Sequence, residues 1–166
     1  MAKNEAKKDS ALIGQFGVGF YSAFMAASKI DVITKKAGTE KVFKWTSNGT
    51  NSYDLEELSI DSEESKKYGF DKEGTHGSAI VMSLNDESGE YASRWKVEDL
   101  IKKYSDHIAF PIYLHYSQNK YDDKGNVTET ENKVDQINSA SALWKRAKSE
   151  LKPEDYKDFY KTLSHD

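Results

Sequence analysis

A chain of 166 residues suffices for one domain, or for one domain and a piece of another, and 37% hydrophobic against 31% charged residues leaves much of it to solvated surface. The net charge of −4, with Lys and Glu interspersed, excludes a single-signed field, so neither nucleic acid nor a membrane is expected as a partner. Cysteine is absent, which removes disulfides and thiolate metal sites, and no apolar run reaches the ~20 residues that span a bilayer. His76, His107, His115 and His165 lack metal-ligand spacing. The Lys-rich start has no signal-peptide core, so the expected location is the cytoplasm.

Residues 1–10 are polar and lead abruptly into a glycine loop, as though a segment were missing upstream. In that loop Gly14, Gln15, Phe16, Gly17, Val18, Gly19 and Phe20 put three glycines within six residues, immediately before aromatics. Glycine reaches positive φ without steric cost and lets a ligand approach the main chain. Where such a turn enters a helix, outward N–H groups and the helix dipole suit phosphate. A Walker loop is excluded, because Phe20-Tyr21 stand where Lys and Ser or Thr are needed. A dinucleotide fingerprint is excluded too, since no hydrophobic strand precedes the loop. The bland alternative is a glycine turn that merely lets a helix pack closely.

Residues 19–27 then carry Phe20, Tyr21, Phe24 and Met25 at helical period and predict a buried helix. Residues 30–34 and 41–47 predict strands, the second with Phe43 and Trp45 on one face. Asn48-Gly49 is the strongest hairpin signal, leading into 52–55 and completing an antiparallel meander. Residues 56–73, rich in Glu, Ser and Lys, predict an exposed connection with at most one helical turn. Residues 78–84 predict a fourth strand with Ile80, Met82 and Leu84 on one face. An amphipathic helix is expected over 91–108, ended by Pro111, and a short strand over 112–116. The polar stretch 117–135 predicts a charged linker. After it come Leu143 and Trp144, then a helix opened by Pro153 with Tyr156, Phe159, Tyr160 and Leu163 on one face. That face needs a surface to cover, and the chain stops at Asp166 before supplying one, which points to truncation there as well.

The run Ile13-Gly14-Gln15-Phe16-Gly17-Val18-Gly19-Phe20-Tyr21-Ser22-Ala23-Phe24 resembles the signature of the ninety-kilodalton heat-shock chaperone family, closest to its bacterial form. Phe43-Lys44-Trp45-Thr46-Ser47, Gly77-Ser78, Phe110-Pro111-Ile112, Leu143-Trp144-Lys145-Arg146 and the run from Glu154 to Lys161 resemble it in the same order. The resemblance implies an α+β fold, an incomplete two-layer sandwich of the GHKL ATPase type. Its antiparallel-rich sheet would carry helices on one face, with a C-terminal helical segment added. It implies that 1–116 are the later half of an ATP-binding domain, 117–135 a charged linker, and 136–166 the start of a middle domain. Gly14 to Phe20 would be the end of the ATP lid, with amides of Gln15 to Phe20 facing the phosphates, and Ser78 would stand where the family has a hydroxyl beside the adenine, usually threonine. The family's catalytic glutamate, its asparagine and its Asp-x-Gly-x-Gly segment lie upstream of the lid, and this chain contains none of them.

The implied function is therefore part of an ATP-dependent chaperone acting on unfolded client proteins. The parent would be a homodimer using ATP with magnesium, and this chain by itself would be inactive and bind ATP weakly or not at all. The competing reading is a non-enzymatic interaction or dimerisation module, its uncovered apolar surfaces seeking a partner. Other GHKL ATPases, such as histidine kinases or gyrase subunits, fit the downstream matches less well. Trp45 and Trp95 are expected to pack rather than to act as ligand platforms.

Overall fold

The computed structural model describes residues 17–140, 149 and 151–164, and the chain falls into two compact units, Met1–Gly89 and Glu90–Asp166. The first unit is one antiparallel sheet of β1 (Ala27–Lys35), β2 (Val42–Ser47), β3 (Asp54–Leu58) and β4 (Gly77–Leu84), in the order β3-β2-β1-β4. The predicted meander is there, and β4 returns to the free side of β1. Gly49 takes φ +79°, but Asn48 does not take the positive φ a two-residue type I′ turn needs, so β2 and β3 are joined by the longer connection 48–53 instead.

Directly opposed residues share a face, so the register sorts the side chains. Asp31, Ile33 and Lys35 of β1 face with Val42, Lys44 and Thr46 of β2 and with Ala79 and Val81 of β4. This face holds the core, Ile33, Val42 and Phe70, with Leu58, Tyr68, Ala79 and Val81 packed against it. Phe70 comes from the stretch expected to be an exposed connection. Short helix α1 (Glu63–Lys67), capped by the Ser62 hydroxyl accepting from the Ser65 N–H at 3.1 Å, folds that stretch over the sheet. The Lys44–Glu64 ion pair at 2.9 Å ties α1 down, and the buried Lys35 ammonium donates to the Phe70 carbonyl at 3.0 Å.

Asp31 accepts from the Thr46 hydroxyl at 2.6 Å and pairs with Lys29 at 3.1 Å. Burial pushes its carboxyl up, but the Thr46 bond and Lys29 outweigh burial and hold it below the ordinary carboxylate value. A depressed folded pKa stabilises above the unfolded value near ~3.9 and loses that contribution as pH falls through the folded value. Acid titration of stability should therefore be shallower in Asp31→Asn than in the parent between about pH 5 and 2, followed by circular dichroism. Identical slopes would remove Asp31 from the acid transition.

The opposite face, with Ile30, Val32, Trp45, Ile80 and Met82, is covered in part by residues 19–25. Here the structure corrects a prediction. The buried helix expected over 19–27 is a 3-10 segment, Gly19–Met25, without a buried residue, and the chain is already β-strand from Ala27. Tyr21 and Met25 are 69% and 83% exposed. The rings of Phe20 and Phe24 meet Trp45 of the sheet, while Tyr21 and Met25 stay exposed. One-sided support does not sustain a longer i→i+4 helix.

In the second unit, α2 (Arg94–Ser105) follows a separate 3-10 segment, Asp86–Ala92, where one helix over 91–108 was expected. The predicted linker 117–135 is corrected to most of a hairpin, β5 (Tyr113–Tyr121) with β6 (Val127–Gln136). Its polarity hid it, because cross-strand pairs replace apolar alternation: Lys120 bridges Glu129 and Glu131, Ser117 meets Asn132, and Thr130 meets Asn119. Arg94 secures α2 to the hairpin, its guanidinium 3.6 Å from the Tyr116 ring centroid and 3.3 Å from Asp135. The Tyr116 hydroxyl donates to Asp135 at 2.7 Å, which raises its pKa. Helix α3 (Pro153–Ser164) begins, as expected, with Pro153 and first-turn Glu154 and Asp155.

Candidate functional site

Gly14, Gln15 and Phe16 lie outside the described residues, as do Trp144, Lys145 and Arg146. The remaining loop residues behave as glycine chemistry requires. Gly17 has φ +68°, Val18 returns to φ −92°, ψ −14°, and the 3-10 segment follows from Gly19. No side chain caps Val18, and the N–H groups of Val18, Gly19 and Phe20 find no acceptor among the described residues. The Tyr21 N–H closes the turn on the Val18 carbonyl at 3.1 Å, and the Ser22 hydroxyl donates to Gly19 O at 2.6 Å. Three adjacent N–H groups behind a glycine bend thus have no hydrogen-bond partner among the described residues. No ion pair reaches the segment among the described residues, and nothing charged on it could serve as a general base.

Aromatic packing holds this segment to the sheet. The Phe20 and Phe24 rings meet Trp45 edge-on at 5.7 Å and 6.5 Å, and each other at 6.2 Å. The Phe20 ring is thus a packing group. Asn85 ties the segment's far end, its Nδ2 donating to Met25 O at 3.1 Å and its N–H to Ala26 O at 3.0 Å. Gly49 admits Phe24: a Cβ there would lie 2.8 Å from Phe24 Cδ1.

Ser78 stands elsewhere. It faces Thr34 in the β1–β4 register, and the two hydroxyls share a hydrogen bond of 2.7 Å while Thr34 also donates to Gly77 O at 3.0 Å. Trp45, which carries Phe20, lies across β1 on the other flank and opposite Val32. Two strand spacings, roughly 10 Å, therefore separate the Ser78 strand from the strand holding the loop. The structure does not bring Ser78 into contact with Gly17, Val18, Gly19 or Phe20.

A cleft of about 240 Å³ opens between Tyr21, Phe24, Trp45 and Tyr53, with the 49–52 turn as its polar side. The Trp45 and Tyr53 rings lie 6.2 Å apart at 30°. Of the described predicted site residues, none lines this cleft. Trp45 packs as expected, whereas Trp95 is 71% exposed, with the Arg94 guanidinium 5.0 Å from its ring. Among the described residues no cluster of His, Cys, Asp and Glu could hold a metal, and no helix is long and apolar enough to cross a membrane.

A family profile described as "Histidine kinase-, DNA gyrase B-, and HSP90-like ATPase" matches residues 1–75, and one described as "Hsp90 protein" matches residues 117–166. The chain is 59% identical over 160 residues to the chaperone protein HtpG of Treponema denticola, which covers 96% of this chain and 25% of the relative. It is 59% identical over 162 residues to that of Treponema pallidum, covering 98% and 25%. It is 52% identical over 162 residues to that of Wolinella succinogenes, covering 98% and 23%. The chain spans about a quarter of the length of these relatives.

Proposed function

Because the chain belongs to the Hsp90 family, we propose that it is part of an ATP-dependent molecular chaperone that binds client proteins and helps them fold. The observation that carries this reading is 59% identity sustained over 96% of the chain to a chaperone protein. Within that machine the chain contributes the end of the ATP lid. Gly17 turns the backbone and the N–H groups of Val18, Gly19 and Phe20 meet phosphate oxygens, with Gly14, Gln15 and Phe16 belonging to the same lid segment by sequence. Phe20 and Phe24, seated on Trp45, keep those N–H groups in place. Ser78 lies on the strand that borders the adenine in this reading.

ATP with magnesium supplies the free energy of hydrolysis, and fixed main-chain dipoles at the lid are suited to the charge that develops on the transferred phosphoryl group. The water-activating residue belongs to a part of the family that the chain does not contain, so the chain by itself carries no catalysis. The proposal includes the two-layer GHKL sandwich, a homodimeric parent and a cytoplasmic site of action.

Two measurements test this. Calorimetric titration of the chain with magnesium-ATP is expected to show no saturable binding at micromolar concentrations, and micromolar affinity would overturn the statement that the chain is only the lid end. A chimera in which this chain replaces the matching 160 residues of the Treponema denticola protein is expected to keep that protein's chaperone activity. Gly17→Val in the chimera, which forces a β-branched residue to positive φ, should lower ATP affinity at least ~10-fold, a cost of about 1.4 kcal/mol. A folded but inactive chimera would refute the reading, as would Gly17→Val without effect.

A further inference from the structure

Asn48 and Gly49 stand exposed in the connection between β2 and β3, and no other asparagine of the chain precedes a glycine. Asparagine is among the chemically labile residues. The Asn48 side-chain carbonyl accepts two hydrogen bonds, from the Thr50 N–H at 3.1 Å and from the Thr50 hydroxyl at 2.6 Å. Donors fixed on a carbonyl oxygen make its carbon more electrophilic and stabilise the oxyanion that forms on attack. The neighbouring nucleophile is the Gly49 nitrogen. Glycine carries no Cβ to obstruct its approach. The Ser47 hydroxyl accepts from the Gly49 N–H at 3.1 Å and donates to Ser52 O at 3.0 Å, which holds that peptide group beside the Asn48 amide.

We propose that Asn48 is a modification site, at which water converts the side-chain amide to a carboxylate through a succinimide. Hydroxide takes the Gly49 amide proton, and the nitrogen forms a bond to Asn48 Cγ. The charge passes to Oδ1, where the Thr50 N–H and hydroxyl receive it. The C–N bond of the side-chain amide then breaks, and its nitrogen takes a proton from water and departs as ammonia. Water next opens the succinimide at either carbonyl. One opening leaves aspartate, and the other leaves isoaspartate, in which the main chain runs through the former side-chain carbon. Water is consumed, ammonia is released, and no redox partner is needed. The product puts an anion next to β3, whose Asp54, Glu56 and Glu57 are already negative. Gly49 also lies against Phe24, a Cβ there falling 2.8 Å from Phe24 Cδ1, so the lengthened isoaspartyl turn disturbs a ring that seats residues 19–25 on Trp45.

Incubation of the folded chain in mildly alkaline buffer made with heavy-oxygen water, followed by peptide mass spectrometry, is expected to label residue 48 before any other asparagine and to give both acidic forms. An isoaspartyl methyltransferase should then transfer a methyl group to that peptide. Thr50→Val removes the hydroxyl donor and keeps the N–H. It should slow conversion about 3-fold or more, less than the roughly 10²–10³ that one oxyanion donor supplies in an enclosed enzyme site. Gly49→Ala, which adds a Cβ beside the attacking nitrogen, should slow it at least ~10-fold. Circular dichroism shows whether each variant folds. Alanine at 49 meets Phe24, so if it unfolds the chain, Thr50→Val at its exposed position decides. Residue 48 staying amidated, residue 48 converting no sooner than another asparagine, or either folded variant reacting as fast as the parent would each overturn the proposal.

Discussion

Asn138→Ala is expected to destabilise the second unit by about 3 kcal/mol, because it strands several buried backbone groups at once. Asn138 is 4% exposed. Its Oδ1 accepts the Ile112 N–H at 2.8 Å, and its Nδ2 faces the carbonyls of Phe110 at 2.9 Å, Ile108 at 3.2 Å and Ser105 at 3.4 Å. These carbonyls belong to the turn between α2 and β5, which has no regular ladder of its own, so one side chain substitutes for it. The Gln136 amide donates to Asn138 O at 3.0 Å, and Ser139 bonds Asp106, fixing the same joint from its other side. Asn138→Asp separates the roles of the two amide ends. It keeps the acceptor for Ile112 but sets a carboxylate against three carbonyls, so at neutral pH it should cost at least as much as alanine. Urea unfolding, with hydrogen exchange of the 113–136 amides, checks both. A loss below ~1 kcal/mol for both variants would show that the turn holds without Asn138.

Phe70→Ala should cost the first unit about 3–5 kcal/mol, the usual range for deleting a buried ring. Phe70 is 5% exposed and packs on Ile33 and Val42, while its main chain accepts from Lys35 and donates to Ser65 O at 2.9 Å. Removing the ring opens a cavity over the fully buried part of the sheet and loosens the carbonyl that pairs the buried Lys35 ammonium. Leu55→Ala on the opposite face, where Leu55 is 62% exposed, should change stability by less than ~0.5 kcal/mol. Hydrogen exchange of the 42–47 amides, measured beside global unfolding, would locate the effect. Equal losses at Phe70 and Leu55 would contradict the assignment of the core to one face.

Much of the first sheet was legible in the residues. β-branched runs at 30–34 and 41–47, the Asn48-Gly49 turn and the Ile80-Met82-Leu84 alternation are local signals, and each marks a strand that forms. The glycine bend was legible for the same reason, since positive φ at Gly17 is a property of that residue. Phe70 escaped notice because one aromatic in a polar stretch has no period, and only contact with Ile33 and Val42 makes it core. The hairpin escaped because its strands pair through Lys120, Glu129 and Glu131 instead of an apolar stripe.

The residues alone specified the family, the strand positions and the turn chemistry, since these depend on neighbours within a few positions and on motif order. Tertiary structure decided which sheet face is covered, that residues 19–25 settle as a 3-10 segment, that the Ser78 and Thr34 hydroxyls bond, and that Asn138 holds a joint. Each of these follows from contacts between residues far apart in the chain, whose energies no local pattern records.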